Sequence, residues 1–299
     1  MKKIKAIWEL MRLEHGVMIA IAIFIGSLIA LKGEGLPTLD KFLLTFFTAL
    51  FLEASTFALN DYYDLEIDKK NKRTDRPLVR GDISPKSALM LFYIFFPLGI
   101  ICSYFVNIAC FLIALITGLL AILYDVKLKK IKLLGNFYIS YVMAIPFIFG
   151  GAAVVAKDAL LFEIPPSIYI IALIAFLTGS GREIMKDVMD FSGDQLKGVK
   201  SFPKYIGKRM SNVVASIFYI IAIVISFLPF FLKTFEIYYL NYNYLSLVFI
   251  TDTMLLTTSI HLFIKREPRL NIYRKFTLLA IFIGLFAFLV PILLLFIDK

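Results

Sequence analysis

Nine apolar segments limit what this chain can become. They fall at about 17–31, 40–59, 88–106, 108–124, 133–155, 167–181, 211–232, 243–264 and 275–297, several of them bounded by Pro or Gly. A helix crosses the hydrocarbon of a bilayer with roughly 20 such residues. Hydrocarbon offers the backbone no partners, so a span must satisfy its own N–H and C=O groups, as a helix does. The expected fold class is therefore all-α, a polytopic membrane protein with nine transmembrane helices. Composition agrees: of 299 residues, 60% are hydrophobic and 18% charged, against about half and a quarter in soluble domains. A soluble globule, a disordered chain and a secreted disulfide scaffold are excluded.

Finer features follow from the same pattern. Asn107 separates the third and fourth segments and is expected to form a tight turn. The first segment is short. The amphipathic stretch before it, with Ile4, Ile7, Trp8 and Met11, is expected to lie in the membrane interface. The sixth segment is also short and is expected to continue beyond the membrane as a polar helix. Cys102 and Cys110 sit in apolar stretches without CxxC or Cys/His spacing and read as small core residues. No A-x-A-like site follows the first apolar run, so no cleavable signal peptide is expected.

The formal charge is +10. Its distribution points to topology and an anionic ligand rather than to nucleic acid. With the N-terminus inside, 27 of the 32 Lys and Arg residues fall on inner stretches and 5 on outer ones. That asymmetry across nine alternations is what positive-inside insertion produces. It predicts a cytoplasmic N-terminus, with motif loops at about 60–87 and 182–210 on the cytoplasmic side.

Acidic residues gather on two of these inner stretches. Asn60, Asp61, Asp64, Glu66 and Asp68 follow the second span; Glu183, Asp187, Asp190 and Asp194 follow the sixth. If the second span stays helical past its apolar part, Asn60, Asp64, Asp68 and Asn71 share one face, and Asp61 neighbours Asp64. The second set occupies i, i+4, i+7 and i+11, again one face, with Gly193 as a possible break before Asp194. Like charges one turn apart destabilise a helix. A divalent cation removes that repulsion, and oxygen-only ligands favour Mg²⁺ over zinc or copper. Either cluster alone could be a solvated, charged loop; two at matching topological positions point to a site for a metal-bound diphosphate. Interleaved Lys and Arg would take the remaining phosphate charge. A third basic stretch, Tyr124-Asp125-Val-Lys127-Leu-Lys129-Lys130, reads either as topology or as a phosphate clamp.

These motifs resemble the UbiA superfamily of intramembrane prenyltransferases. The resemblance rests on the nine spans, the NDYYDLEIDKKNKRTDRP block with its NDxxDxxxD and RxxRP elements, and the aspartate-rich motif after span six. It implies one domain over 1–299, a helical bundle around a central cavity, and Mg²⁺-dependent transfer of a prenyl group from an allylic diphosphate. By position, it draws the metal ligands from Asn60, Asp64, Asp68, Asp190 and Asp194, with Asp61 and Asp187 also candidates; Asp64, Asp68, Asp190 and Asp194 carry the catalytic role. Arg73, Arg76, Tyr124, Lys127, Lys129, Glu183 and Lys186 are implied as substrate-binding. The lysine spacing after Tyr124 matches the family element only loosely.

Departures bear on the acceptor. Glu183 and Lys186 stand where many members with aromatic acceptors have Asp and Tyr. The REIMKDVMDFSGD version resembles the archaeal branch, which adds a second geranylgeranyl chain to geranylgeranylglyceryl phosphate. Lys186 suits an acceptor carrying its own phosphate. A single glutamine against 23 lysines agrees with a hyperthermophilic source. Leu13 and His15 replace the usual Pro and Asn of the entry motif, so Arg12 and His15 are expected to be interfacial residues. The partners implied are the prenyl diphosphate donor, a lipid-like glyceryl phosphate acceptor and membrane lipid, with no nucleic acid and no obligatory protein partner.

The alternatives are a family member with an aromatic acceptor, such as a quinone precursor or tetrapyrrole, and a secondary transporter. Transporters place charged sites near the bilayer midplane. Here the midspan ionisable groups, Glu53, Asp252 and His261, do not line up as a pathway.

Overall fold

The computed structural model describes residues 2–70, 72–155, 164–196, 198–265 and 268–297. Among the described residues twelve α-helices run in order: α1 Lys2–Met11, α2 Leu13–Ala30, α3 Leu39–Lys70, α4 Pro77–Arg80, α5 Pro85–Val106, α6 Ile108–Val126, α7 Lys132–Val154, α8 Pro166–Leu196, α9 Phe202–Ser226, α10 Leu228–Phe231, α11 Tyr242–Ile264 and α12 Leu270–Ile297. Among the described residues there is no strand. Among the described residues, eight helices are long and apolar enough to cross a membrane, and the bent pair of α1 and α2, taken as one span, brings the number to nine. Asn71, which extends the first acidic stripe in sequence, lies outside the described residues.

Two helices are much longer than a bilayer requires. α3 has 32 residues and α8 has 31. At 1.5 Å per residue each is roughly 47 Å long, against about 30 Å of hydrocarbon. Both therefore carry their helical geometry past the apolar span into the acidic motifs. The stretches expected as motif loops are largely helix extensions, and Gly193 does not break α8.

α1 packs with Ala6 and Leu10 buried against Ala58, Leu78, Ile83 and Ala88, while Ile4, Ile7 and Trp8 stay exposed. At Arg12 the backbone turns left-handed (φ 45°, ψ 51°), and α2 leaves at 48° to α1. α2 packs against α3 and α7; α7 against α8; α8 against α9; α9 and α12 against α11; and α12 returns to α8 and α2. α5 and α6 complete the ring beside α3. The α2–α7 crossing is close enough that a Cβ on Gly26 would lie 2.3 Å from the Phe147 carbonyl oxygen, and one on Gly150 only 1.9 Å from that of Ile23. Ser27 Oγ donates to the Gly150 oxygen at 2.9 Å within the same contact.

Asn107 explains why a nearly continuous apolar run becomes two helices. Its backbone is extended, its Oδ1 accepts from the Cys110 amide at 2.8 Å, and its Nδ2 donates to the Ala152 carbonyl on α7 at 2.7 Å. The cap starts α6, and the second bond pins the turn to the bundle.

α7 divides the apolar interior in two. One cavity is walled by α2, α3, α6 and α7 and includes Glu53 and Thr117. Another lies among α7, α8, α9, α11 and α12 and includes Phe147 and Asp252. Ser226 Oγ donates to Asp252 at 2.7 Å, and His261 stacks on Tyr273 and bonds the Thr257 oxygen, so these two midspan groups have local partners.

Candidate active site

Helical periodicity places the acids of α3 and α8 in stripes, and tertiary contacts then give each acid a different partner. Asn60 Nδ2 donates to Asp125 Oδ1 on α6 at 2.6 Å. Asp61, only 2% exposed, receives Arg12 at 2.7 Å and Arg76 at 3.2 Å. The Arg12 guanidinium also sits 4.1 Å over the Phe57 ring. Arg12 is thus a member of the site and not the interfacial residue expected, because the left-handed turn after α1 carries its side chain inward onto α3. His15 is exposed and meets Phe57 edge-on.

The RxxRP element works through its proline. Pro77 opens α4 and holds Arg76 extended (φ −90°, ψ 127°), so Arg76 reaches Asp61, with Asp68 and Asp75 each at 3.8 Å. Arg73 turns to Asp75 in a two-pronged pair at 2.8 and 2.9 Å. That guanidinium holds the Asp75 carboxyl below the usual carboxylate range.

The short connection between α6 and α7 joins the two stripes. Lys129 donates to Asp64 on α3 at 2.5 Å. Lys132 lies 2.6 Å from Asp194 and 3.4 Å from Asp187 on α8. Backbone bonds from Lys200 N to the Lys130 oxygen and from Leu133 N to the Lys200 oxygen fasten this connection to the start of α9. Asn136, one turn into α7, donates to Asp187 at 2.8 Å. Tyr124, near the end of α6, stacks on Tyr138 of α7 at 4.8 Å.

Not every expected residue enters this cluster. Lys127 is exposed and makes no ion pair among the described residues. Glu183 is buried and pairs with Lys186 at 3.2 Å and Arg182 at 3.7 Å. Asp190 is exposed and lines an open cleft whose far wall is Pro268 to Ile272, including Arg269. Sequence reasoning passed over Lys132 and Asn136, named Asp125 only within the third basic stretch, and set Arg12 aside as interfacial. Lys132 and Asn136 carry a faint signal, one helical turn apart at the start of an apolar span; Arg12 sits beside an entry motif whose Pro and Asn are replaced.

Among the described residues, no three Asp, Glu, His or Cys side chains converge in a way that would hold a metal alone. The donors are all oxygens, and Mg²⁺ is commonly held by one or two carboxylates with substrate phosphates completing its shell. Two stripes offering pairs of carboxylates fit that mode better than they fit a closed protein cage. Asp61 Oδ2 is buried without a partner, so the first stripe is not saturated by its arginines.

The UbiA prenyltransferase family pattern matches residues 19–272. The chain belongs to the UbiA prenyltransferase family. A digeranylgeranylglyceryl phosphate synthase from Archaeoglobus fulgidus is 42% identical over 291 residues, covering 95% of this chain and 94% of the relative. A solved structure of a digeranylgeranylglyceryl phosphate synthase superposes with a TM-score of 0.83 at 34% identity, over 98% of this chain and 99% of that one. A UbiA homologue from Archaeoglobus fulgidus, solved with DMAPP and Mg²⁺, shares the fold at a TM-score of 0.58 and 18% identity, covering 94% of this chain and 98% of that one. As a UbiA member, this chain is an integral membrane protein whose helices α3 and α8 carry the two aspartate motifs.

Proposed function

We propose that this protein is a digeranylgeranylglyceryl phosphate synthase. It transfers a geranylgeranyl group from geranylgeranyl diphosphate to the free hydroxyl of geranylgeranylglyceryl phosphate, with Mg²⁺ as cofactor. The observation that carries the reading is the α6–α7 connection, whose Lys129 and Lys132 pair with one acidic stripe each. Together with near full-length similarity to a synthase of that name, it supports a diphosphate site assembled between α3 and α8.

Asn60, Asp64 and Asp68 on α3, with Asp190 and Asp194 on α8, are the residues assigned to hold Mg²⁺; Asp190 lies outside the ion-paired cluster, and its assignment rests on its place in the motif. When bound, Mg²⁺ neutralises charge developing on the leaving diphosphate. Lys129, Lys132 and Arg76 present cationic donors to phosphate oxygens, adding to the same stabilisation. Their present carboxylate partners keep those cations oriented in the absence of substrate. The apolar walls around α7 exclude water from the allylic cation. The C–O bond to diphosphate breaks with its electron pair leaving on the diphosphate, the acceptor hydroxyl oxygen then bonds the allylic carbon, and the hydroxyl proton passes to a nearby carboxylate or to the released diphosphate. Lys186, beside Glu183 at the edge of the cluster, is assigned to the acceptor's phosphate.

The inner-loop excess of Lys and Arg supports a cytoplasmic N-terminus and an active site facing the cytoplasm, within one domain spanning 1–299. The test is to incubate purified protein with radiolabelled geranylgeranyl diphosphate, geranylgeranylglyceryl phosphate and Mg²⁺, with an EDTA control. A Mg²⁺-dependent diether phosphate is expected. Turnover only with aromatic acceptors would keep the family and overturn the acceptor.

A further inference from the structure

Asp125 belongs to neither acidic stripe, yet it lies in the last turn of α6 with 4% of its surface exposed. Its Oδ1 accepts the Asn60 amide at 2.6 Å. A carboxylate accepts hydrogen bonds and donates none, so the Asn60 NH₂ must face Asp125. The amide plane then turns Oδ1, its only oxygen, away from Asp125. An asparagine amide left free on a surface flips at little cost; this one is held by a buried acceptor on a different helix.

We propose that Asp125 is a positioning residue that orients the Asn60 carbonyl oxygen toward the divalent cation. This rests on the Mg²⁺ reading above. Buried partners that fix a ligand's orientation matter about as much as the ligand, and losing one costs about 10–100-fold in metal affinity. Asp125 thus couples α6, through α3, to the metal site, much as Asn136 fixes the Asp187 carboxylate from α7 at 2.8 Å.

Two substitutions separate orientation from charge. Asp125→Asn keeps an acceptor oxygen for the Asn60 amide and removes the charge; Asp125→Ala removes both. The readout is Mn²⁺ affinity in the presence of inorganic pyrophosphate, followed by electron paramagnetic resonance on the full protein in detergent, with the thermal midpoint recorded alongside. Asp125→Ala is expected to weaken Mn²⁺ about 10–100-fold, and Asp125→Asn to stay within about threefold of the original protein. Wild-type affinity in Asp125→Ala would reduce Asp125 to a strap between α3 and α6. Equal losses in both would make its charge, not its orientation of Asn60, the operative property. If Asp125→Ala does not fold, Asp125→Glu shifts the acceptor by one methylene while keeping the charge. The same weakening is then expected, and unchanged affinity overturns the proposal. Failure of the unsubstituted protein to bind Mn²⁺ at all would instead strike the metal reading itself.

Discussion

The Arg12 guanidinium lies 2.7 Å from the Asp61 carboxylate, across 49 residues of chain. This contact ties the α1–α2 hinge to the first aspartate motif, with Phe57 stacked beneath the arginine. Arg12→Ala leaves a buried carboxylate with Arg76 alone, and is expected to lower stability by about 1–3 kcal/mol and to reduce turnover. Arg12→Lys should rescue only part, because a lysine lacks the planar fork that pairs and stacks together. Thermal unfolding and turnover of both variants check this; full activity in Arg12→Ala would return the residue to the membrane interface.

Lys129 and Lys127 give a paired comparison. Lys129 holds Asp64, whereas Lys127 is exposed. Lys129→Ala is expected to raise the apparent KM for the prenyl diphosphate about 10–100-fold, the value of a charge-assisted bond. Lys127→Ala should stay within about twofold by the same reasoning. Reversal of the two would overturn the clamp as drawn.

Asp64 and Asp190 each retain solvent-accessible surface, so their removal should leave the bundle folded. Asp64→Ala and Asp190→Ala are expected to lower turnover by at least about 10²–10³-fold, as for loss of a principal electrostatic group. Near-normal turnover in both, with unchanged thermal midpoints, would remove the two stripes from the metal site.

Lys186 is 3.2 Å from Glu183 and partly exposed. Lys186→Ala should weaken the phosphorylated acceptor more than the prenyl donor. Steady-state kinetics with each substrate varied in turn would show it, and equal changes in the two KM values would end the case for Lys186 as the acceptor's phosphate ligand.

Two glycines should respond in opposite directions. Gly150→Ala forces a methyl into the Ile23 carbonyl at the α2–α7 crossing and is expected to destabilise by about 1–3 kcal/mol or more. Gly193 is helical, exposed and has nothing within 4 Å of a built Cβ. Gly193→Ala should therefore raise the thermal midpoint, corresponding to about 1 kcal/mol of helix propensity.

Much of this architecture was legible from residue order. The apolar segments correspond to α2, α3, α5 to α9, α11 and α12, and the acids at i, i+4 and i+7 do lie on continuous helix. That legibility has a local cause: hydrophobic length and 3.6-residue periodicity act within one element. Asn107 was also readable as a turn, although its bond to Ala152 was not. Arg12, Asp125 and Lys132 were not readable as site residues. Each acquires its role by meeting a side chain on another helix, at 49, 65 and 62 residues' separation.

The sequence by itself therefore determined the membrane class, the helical elements and the two carboxylate stripes, because these depend on transfer into lipid and on helical repeat. Only the tertiary structure decided which cation faces which carboxylate. It also decided that the interior is split by α7, and that Asn60 is oriented by a buried aspartate on α6. Those outcomes follow from helix crossings, where the Gly26 and Gly150 contacts set how closely backbones approach, and where a 48° bend brings Arg12 to Asp61. Crossing geometry is a property of paired surfaces, and no single segment encodes it.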